Sequence, residues 1–351
     1  MFRELLLFKR SDRKWHLPVL AGLSVGIPIL AGYYSGNLSE GKMASLAGLV
    51  ILYIHAQPVA KQLVTWMSCS FALMFSFTIG LVFGFDPFFA CLILAIHAFA
   101  VHLSLFYLKM TRPPGNFFFI MIASVAICMP FEPQAIPHKV GLFAMGTMVS
   151  CLLGLGYIIL TTRRIQPDVA PPATALDNYE NLIESVTFGL FIGVGLLIGR
   201  LLDLENPYWI PASCAAVMQG VNTKHVWQRS IQRIAGTFIG LIVTWAILLL
   251  NMPVFYICLS IILLQVIVEM LVVRNYGIAA IFITVLTILL AESDNVLTRD
   301  PTALITARFV DILIGSLMGA IGGSILYHER TRYLAKKNIR KTRIIFSRRR
   351  W

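Results

Sequence analysis

The chain has 351 residues, 58% of them hydrophobic and 13% charged, and its mean hydropathy is +0.78. A soluble protein would carry about a quarter charged residues, so the composition excludes an ordinary soluble domain and marks an integral membrane protein. The net charge of +12 does not point to nucleic acid, because the basic residues lie between and beyond apolar runs: ten of the 29 Lys and Arg fall in residues 329–351 and five in residues 1–14.

In chain order, residues 1–16 read as a charged cytoplasmic N-terminus without a small-x-small cleavage site, so the apolar run that follows is expected to stay as a helix. A crossing needs about 20 apolar residues. On that rule the first membrane repeat, 17–161, holds spans at 17–34, 43–57, 62–84, 87–108, 115–130 and 140–161. Residues 162–180 form a cytoplasmic linker with prolines and both charge signs. The second repeat, 181–327, holds spans at 181–202, 207–221, 230–250, 254–272, 276–291 and 304–327, and residues 328–351 are a basic cytoplasmic tail. The stretches 43–57 and 207–221 are short, so twelve crossings become ten if these two are half-inserted. The expected fold is an all-α polytopic membrane protein built from two parallel six-helix repeats, with both termini in the cytoplasm.

Two observations support that layout. Arg112 and Gly115 recur as Arg274 and Gly277, each pair 162 residues apart, and each R-x-x-G opens the fifth span of its half. An even number of spans per repeat keeps both halves in the same orientation. With the N-terminus inside, Lys61, Lys109, Arg163, Arg164, Lys224, Arg229, Arg233 and the tail lie on the cytoplasmic side. Glu40, Asp86, Glu132, Asp203, Glu205, Glu292 and Asp294 then lie outside, as the positive-inside rule requires, with Lys42, Lys139 and Arg299 as exceptions.

Few residues suit chemistry. The six cysteines lie in apolar spans without C-x-x-C spacing and read as small hydrophobes. No metal and no cofactor is expected, and neither a clustered carboxylate motif nor G-x-x-x-x-G-K-[ST] occurs, so an enzyme is not expected and any active transport would draw on the proton gradient. Arg229 and Arg233 share one helix face, where two guanidiniums can hold a carboxylate, and Gly236 and Gly240 continue as G-x-x-x-G. The same pair also reads as a membrane anchor followed by a packing motif. Arg112 and Arg274, at matched helix starts, read either as a cationic mouth for anions or as two topogenic charges. Asp311 lies about 10 Å into the last span, three residues after Arg308, and is a candidate proton-coupling residue or half of a structural ion pair. Glu269 and His97 are further candidates for proton handling; interfacial pairing and hydrogen-bonded packing are their alternatives. His97 and His102 are about 140° apart on a helix and cannot face one narrow site. Trp209, with Tyr208 and Phe117 to Phe119, offers rings to stack on an aromatic substrate, or else an interfacial belt.

The segment "NPYWIPASCAAVMQGVNTKHVWQRSIQRIAGTFIGLIV", residues 206–243, resembles the fusaric acid resistance and aromatic acid exporter family. Tyr208, Trp209 and Pro211 match its Tyr-Trp-x-Pro-like opening, and Arg229, Arg233, Gly236, Thr237 and Gly240 match its Arg-x-x-x-Arg-x-x-Gly-Thr-x-x-Gly helix start. The chain departs from long members in its short linker and tail, and the first half has Lys61, Trp66, Ser68 and Ser70 where that motif would stand. The resemblance implies export of small, often aromatic, organic acids across a bacterial inner membrane, with a periplasmic membrane-fusion adaptor as partner. A passive organic-anion channel and a non-transporting scaffold subunit are the competing functions. Membrane lipid is the further partner expected of the basic tail, and a homo-oligomer is compatible with the layout.

Overall fold

The computed structural model describes residue 8 and residues 13–54, 59–108, 110, 114–161, 178–250, 252–291 and 301–327. They form twelve α-helices: α1 His16–Tyr34, α2 Leu38–Ala47, α3 Val59–Val82, α4 Pro87–Tyr107, α5 Phe117–Ile127, α6 Ile136–Thr161, α7 Asn178–Leu201, α8 Trp209–Met218, α9 Thr223–Leu248, α10 Val254–Leu271, α11 Tyr276–Ala291 and α12 Pro301–Tyr327. A 3₁₀ turn, Gly48–Tyr53, prolongs α2 and another, Pro133–Ala135, leads into α6. Residues 162–177 of the linker, the tail and Arg112 lie outside the described residues, and the last three linker residues, 178–180, open α7.

Local chemistry sets several boundaries. Asp86 accepts from the amides of Phe88 and Phe89 at 3.0 and 2.6 Å, with Pro87 as the first helical residue, so α4 begins there. Asn222 caps α9 through the amide of His225 at 2.8 Å, and Asn275 caps α11 through that of Ile278 at 3.1 Å. Ahead of α5, Gly115 has φ of 53°, a conformation only glycine adopts at no steric cost. Gly277, its counterpart at the start of α11, sits tightly for a different reason: a Cβ there would come within 3.2 Å of Gln232 Cγ and 3.3 Å of Asn275 Oδ1.

Helix length divides the chain into two sets. Eight helices, α1, α3, α4, α6, α7, α9, α10 and α12, are long and apolar enough to cross a membrane. The second and fifth helix of each half are shorter, so both halves run long, short, long, long, short, long. The span read at 207–221 is helical only over the ten residues Trp209–Met218, about 15 Å, or half a bilayer core. The span at 43–57 reaches further, because its 3₁₀ turn adds about 12 Å to the 15 Å of α2. The span at 115–130, expected to cross fully, is helical only over Phe117–Ile127. Pro114 precedes it and Pro130 follows, and neither can continue a helix interior.

The helices pair across the halves. α1 packs on α10, and α4 on α7, the corresponding pair. Within the halves, α3 with α5 mirrors α9 with α11, and α2 with α6 mirrors α8 with α12. Small residues make these approaches possible. A Cβ on Gly236 or Gly240 would meet a carbonyl of α11 at 2.6 Å, and one on Gly80 would meet the Ala123 carbonyl of α5 at 2.7 Å. Gly315 and Gly319 do the same for α12 against α8, whose ten residues are all buried. The correspondence breaks at one place. α5 packs on α8, whereas α2 and α11, the matching pair, barely touch, and a cavity lies along both.

Candidate functional site

All four short helices line that cavity, which has a volume of about 1250 Å³. α2 contributes Lys42, Met43 and Leu46; α5 contributes Phe117, Phe118 and Met121; α8 contributes Trp209 and Ala216; α11 contributes Tyr276, Thr284 and Thr287. The long helices add charge: Arg229 and Arg233 from α9, Glu269 from α10, Arg308 from α12, Glu184 from α7, with Arg13 from the segment ahead of α1. Among the described lining residues, the Lys and Arg are thus five and the carboxylates two.

Three of the arginines hang at successive levels along α8. Arg308 lies over the Trp209 ring, its guanidinium carbon 3.1 Å from the ring centroid, and donates to Thr287 Oγ1 at 2.8 Å. One turn on, Arg233 donates to Ser213 Oγ at 3.1 Å and to the Tyr276 hydroxyl at 3.0 Å. A further turn on, Arg229 donates through Nε to the Ala216 carbonyl at 3.1 Å and sits 4.3 Å above the Tyr276 ring. Residues 209, 213 and 216 are separated by about 6 and 4.5 Å of helix rise. Arg233 and Arg308 are 5% and 3% exposed, so two cationic heads sit deep in the protein.

The partners of Arg229 and Arg233 matter as much as their position. Both are held by neutral oxygens, Arg229 also by the Tyr276 ring, with no carboxylate of the described residues on either. Neutral partners satisfy N–H groups and leave the positive charge in place. An anion entering the cavity would supply the charge partner, in a medium where Coulomb forces are several times stronger than in water. Rings beside the guanidiniums offer stacking surface for a planar group. Tyr208, 4.9 Å from Trp209 between centroids, with Phe117 and Phe118, extends that surface, while Phe119 is turned into the core at 2% exposure.

The remaining sequence candidates scatter. Arg274 is exposed in the turn between α10 and α11 and does not line the cavity; its matched partner Arg112 is outside the described residues. Glu269 pairs with Arg13, whose guanidinium is 2.8 Å from Glu269 Oε2. The chain ahead of α1 reaches α10 because α1 and α10 pack together. Asp311 is fully buried on α12 and is not among the lining residues, although Arg308 three residues before it is. His97 is buried against Ser76 Oγ at 3.1 Å, away from the cavity, while His102 lines it and meets Ser185 Oγ at 3.0 Å. That divergence follows from their angular separation on α4. Tyr276, Ser213, Thr287 and Arg13 went unnoticed in the sequence. Tyr276 stands inside the R-N-Y-G form of the repeated motif and was open to notice there; the other three carry no local signal.

Known proteins place this site in context. Residues 192–322, from α7 to α12, match the model of the fusaric acid resistance protein-like family, and the match contains Trp209, Arg229, Arg233, Arg308 and Asp311. This chain is an all-α polytopic membrane protein, and residues 192–322 of it resemble the fusaric acid resistance protein-like family. A stretch of 148 residues is 36% identical to the uncharacterized membrane protein YvaC of Bacillus subtilis (strain 168), which covers 42% of this chain and 23% of that protein. The chain therefore spans about a quarter of the length of this curated relative. No solved structure matches.

Proposed function

We propose that the chain moves small organic acids, aromatic ones above all, out of a bacterial cell through the arginine-lined cavity. One observation carries this reading: among the described residues Arg229 and Arg233 face the cavity with no carboxylate partner and with an aromatic ring at hand. The family of the second half supports a transport role. Export across the inner membrane, with a periplasmic adaptor receiving the substrate and the proton gradient as driving force, completes the proposal. Asp311 remains the coupling candidate on α12, acting from beside the cavity wall and not within it.

The test is a panel of radiolabelled organic acids in proteoliposomes holding the purified chain. Uptake of aromatic carboxylates that falls sharply in Arg233→Ala supports the reading. Equal flux of neutral analogues, or full activity in Arg233→Ala, would sink it. A passive channel is the second reading. It is favoured by the reach of the cavity from Lys42 and Pro130 at one end to Val221, Val273 and Tyr327 at the other.

A further inference from the structure

Arg13 belongs to no helix, yet it lines the cavity and meets a residue of the opposite half. Its guanidinium donates to Glu269 Oε2 at 2.8 Å and to the Glu269 carbonyl at 3.3 Å. Glu269 is 6% exposed, and its other carboxylate oxygen accepts from Gln265 Nε2 at 3.4 Å. Glu269 and Gln265 line the same cavity one helical turn apart, with Val272 and Val273 beyond them at the α10 end. Among the described residues Arg13 is the charged group that acts on Glu269. The arrangement differs from that of Arg229 and Arg233 beside α8. Among the described residues those two are held by neutral atoms or stacked on a ring; here the cation meets an internal carboxylate.

We propose that Arg13 is an anion-binding residue at the inner end of the cavity and that Glu269 is its built-in competitor. This rests on the reading of the cavity as a path for organic anions. With no substrate present, the Glu269 carboxylate occupies Arg13. A substrate carboxylate takes over the guanidinium, and Gln265 keeps a hydrogen bond to Glu269 when it does. A carboxylate ligand fits better than a halide, because a guanidinium presents a planar fork of donors that matches the two oxygens of a carboxylate.

The experiment uses the full chain in inside-out vesicles with Val272→Cys in a Cys128→Ser background, since Cys128 also lines the cavity. Benzoate is the probe. The measured quantity is the benzoate concentration that halves the rate of thiol labelling at position 272. Glu269→Gln should lower that concentration about tenfold, Arg13→Gln should raise it, and the double variant should behave as Arg13→Gln alone. If Glu269→Gln leaves it unchanged or raises it, Arg13–Glu269 is only a structural staple and the inference fails. It also fails if the double variant keeps the gain of Glu269→Gln, since the effect is then a general field and not competition for Arg13. Val273→Cys repeats the measurement at a second lining position should Val272→Cys perturb the fold. Benzoate flux is recorded in the same vesicles. Protection without flux would strike the transport reading and leave the role of Arg13 standing.

Discussion

Arg233 shows how a few atoms decide what a buried cation does. Its terminal nitrogens are held by Ser213 and Tyr276, both neutral. A charge-assisted hydrogen bond is worth roughly 1.5–3 kcal/mol, so Arg233→Ala is expected to weaken apparent substrate affinity by about 10- to 100-fold, read as a rise in KM in proteoliposomes. Arg233→Lys keeps the charge but not the fork, and its KM should fall between the two. Tyr276→Phe removes the hydroxyl and keeps the ring under Arg229. Its loss should be smaller, about 1 kcal/mol or fivefold in KM. Arg274→Ala, in an exposed turn off the cavity, should leave KM unchanged with insertion intact. A strong effect there would restore the cationic mouth drawn from the repeat. The paired arginines of α9 were legible as a two-cation face from their spacing of four. What holds them, Ser213 and Tyr276, was not, because those residues come from helices 20 and 43 positions away.

At the scale of the helix, the short elements are the ones that matter. α8 is buried along all ten residues and carries three arginine contacts on a length of two to three turns. Its neighbour α12 approaches through Gly315 and Gly319, and α9 reaches α11 through Gly236 and Gly240. Gly236→Ala puts a Cβ 2.6 Å from the Gly277 carbonyl, a backbone atom that cannot swing aside. Overpacking of this kind costs about 1–3 kcal/mol, and the variant should lose several degrees of thermal stability in detergent and shift α11 with Tyr276. The G-x-x-x-G of α9 was visible as a packing motif. The matching role of Gly80 on α3 was passed over because no arginine pair drew attention to that helix. The shortness of α5 was also missed: an apolar run of sixteen residues reads as a crossing, and only the flanking prolines hint that its helix stops after eleven.

At the scale of the molecule, two halves with the same order of helix lengths pack with corresponding contacts and fail to correspond between α2 and α11. The cavity occupies that failure. A strictly symmetric arrangement would have filled it as α5 fills its place on α8. Coupling belongs to this scale, since it concerns the whole cycle. Asp311→Asn should abolish uphill transport while downhill flux persists, measured in vesicles with and without an imposed proton gradient. Unchanged uphill transport would remove Asp311 from the mechanism and favour the passive reading. Orientation is tested the same way: cysteines placed in the 162–180 linker and the 328–351 tail should label from the cytoplasmic side alone.

Composition and the lengths of the apolar runs were enough to settle the membrane class and the order of the helical segments, and the motif residues of 206–243 carry the family likeness. Burial in lipid leaves its mark on every residue of a span, and such a mark survives in a linear string. Which helices are short enough to stay inside, where the two halves part, and which cation meets which oxygen were decided only by the tertiary structure. Those outcomes depend on contacts between residues far apart in sequence. Arg13 and Glu269, 256 positions apart, are the widest example. Each is an unremarkable charge near a helix end until α1 and α10 pack and set them 2.8 Å from one another.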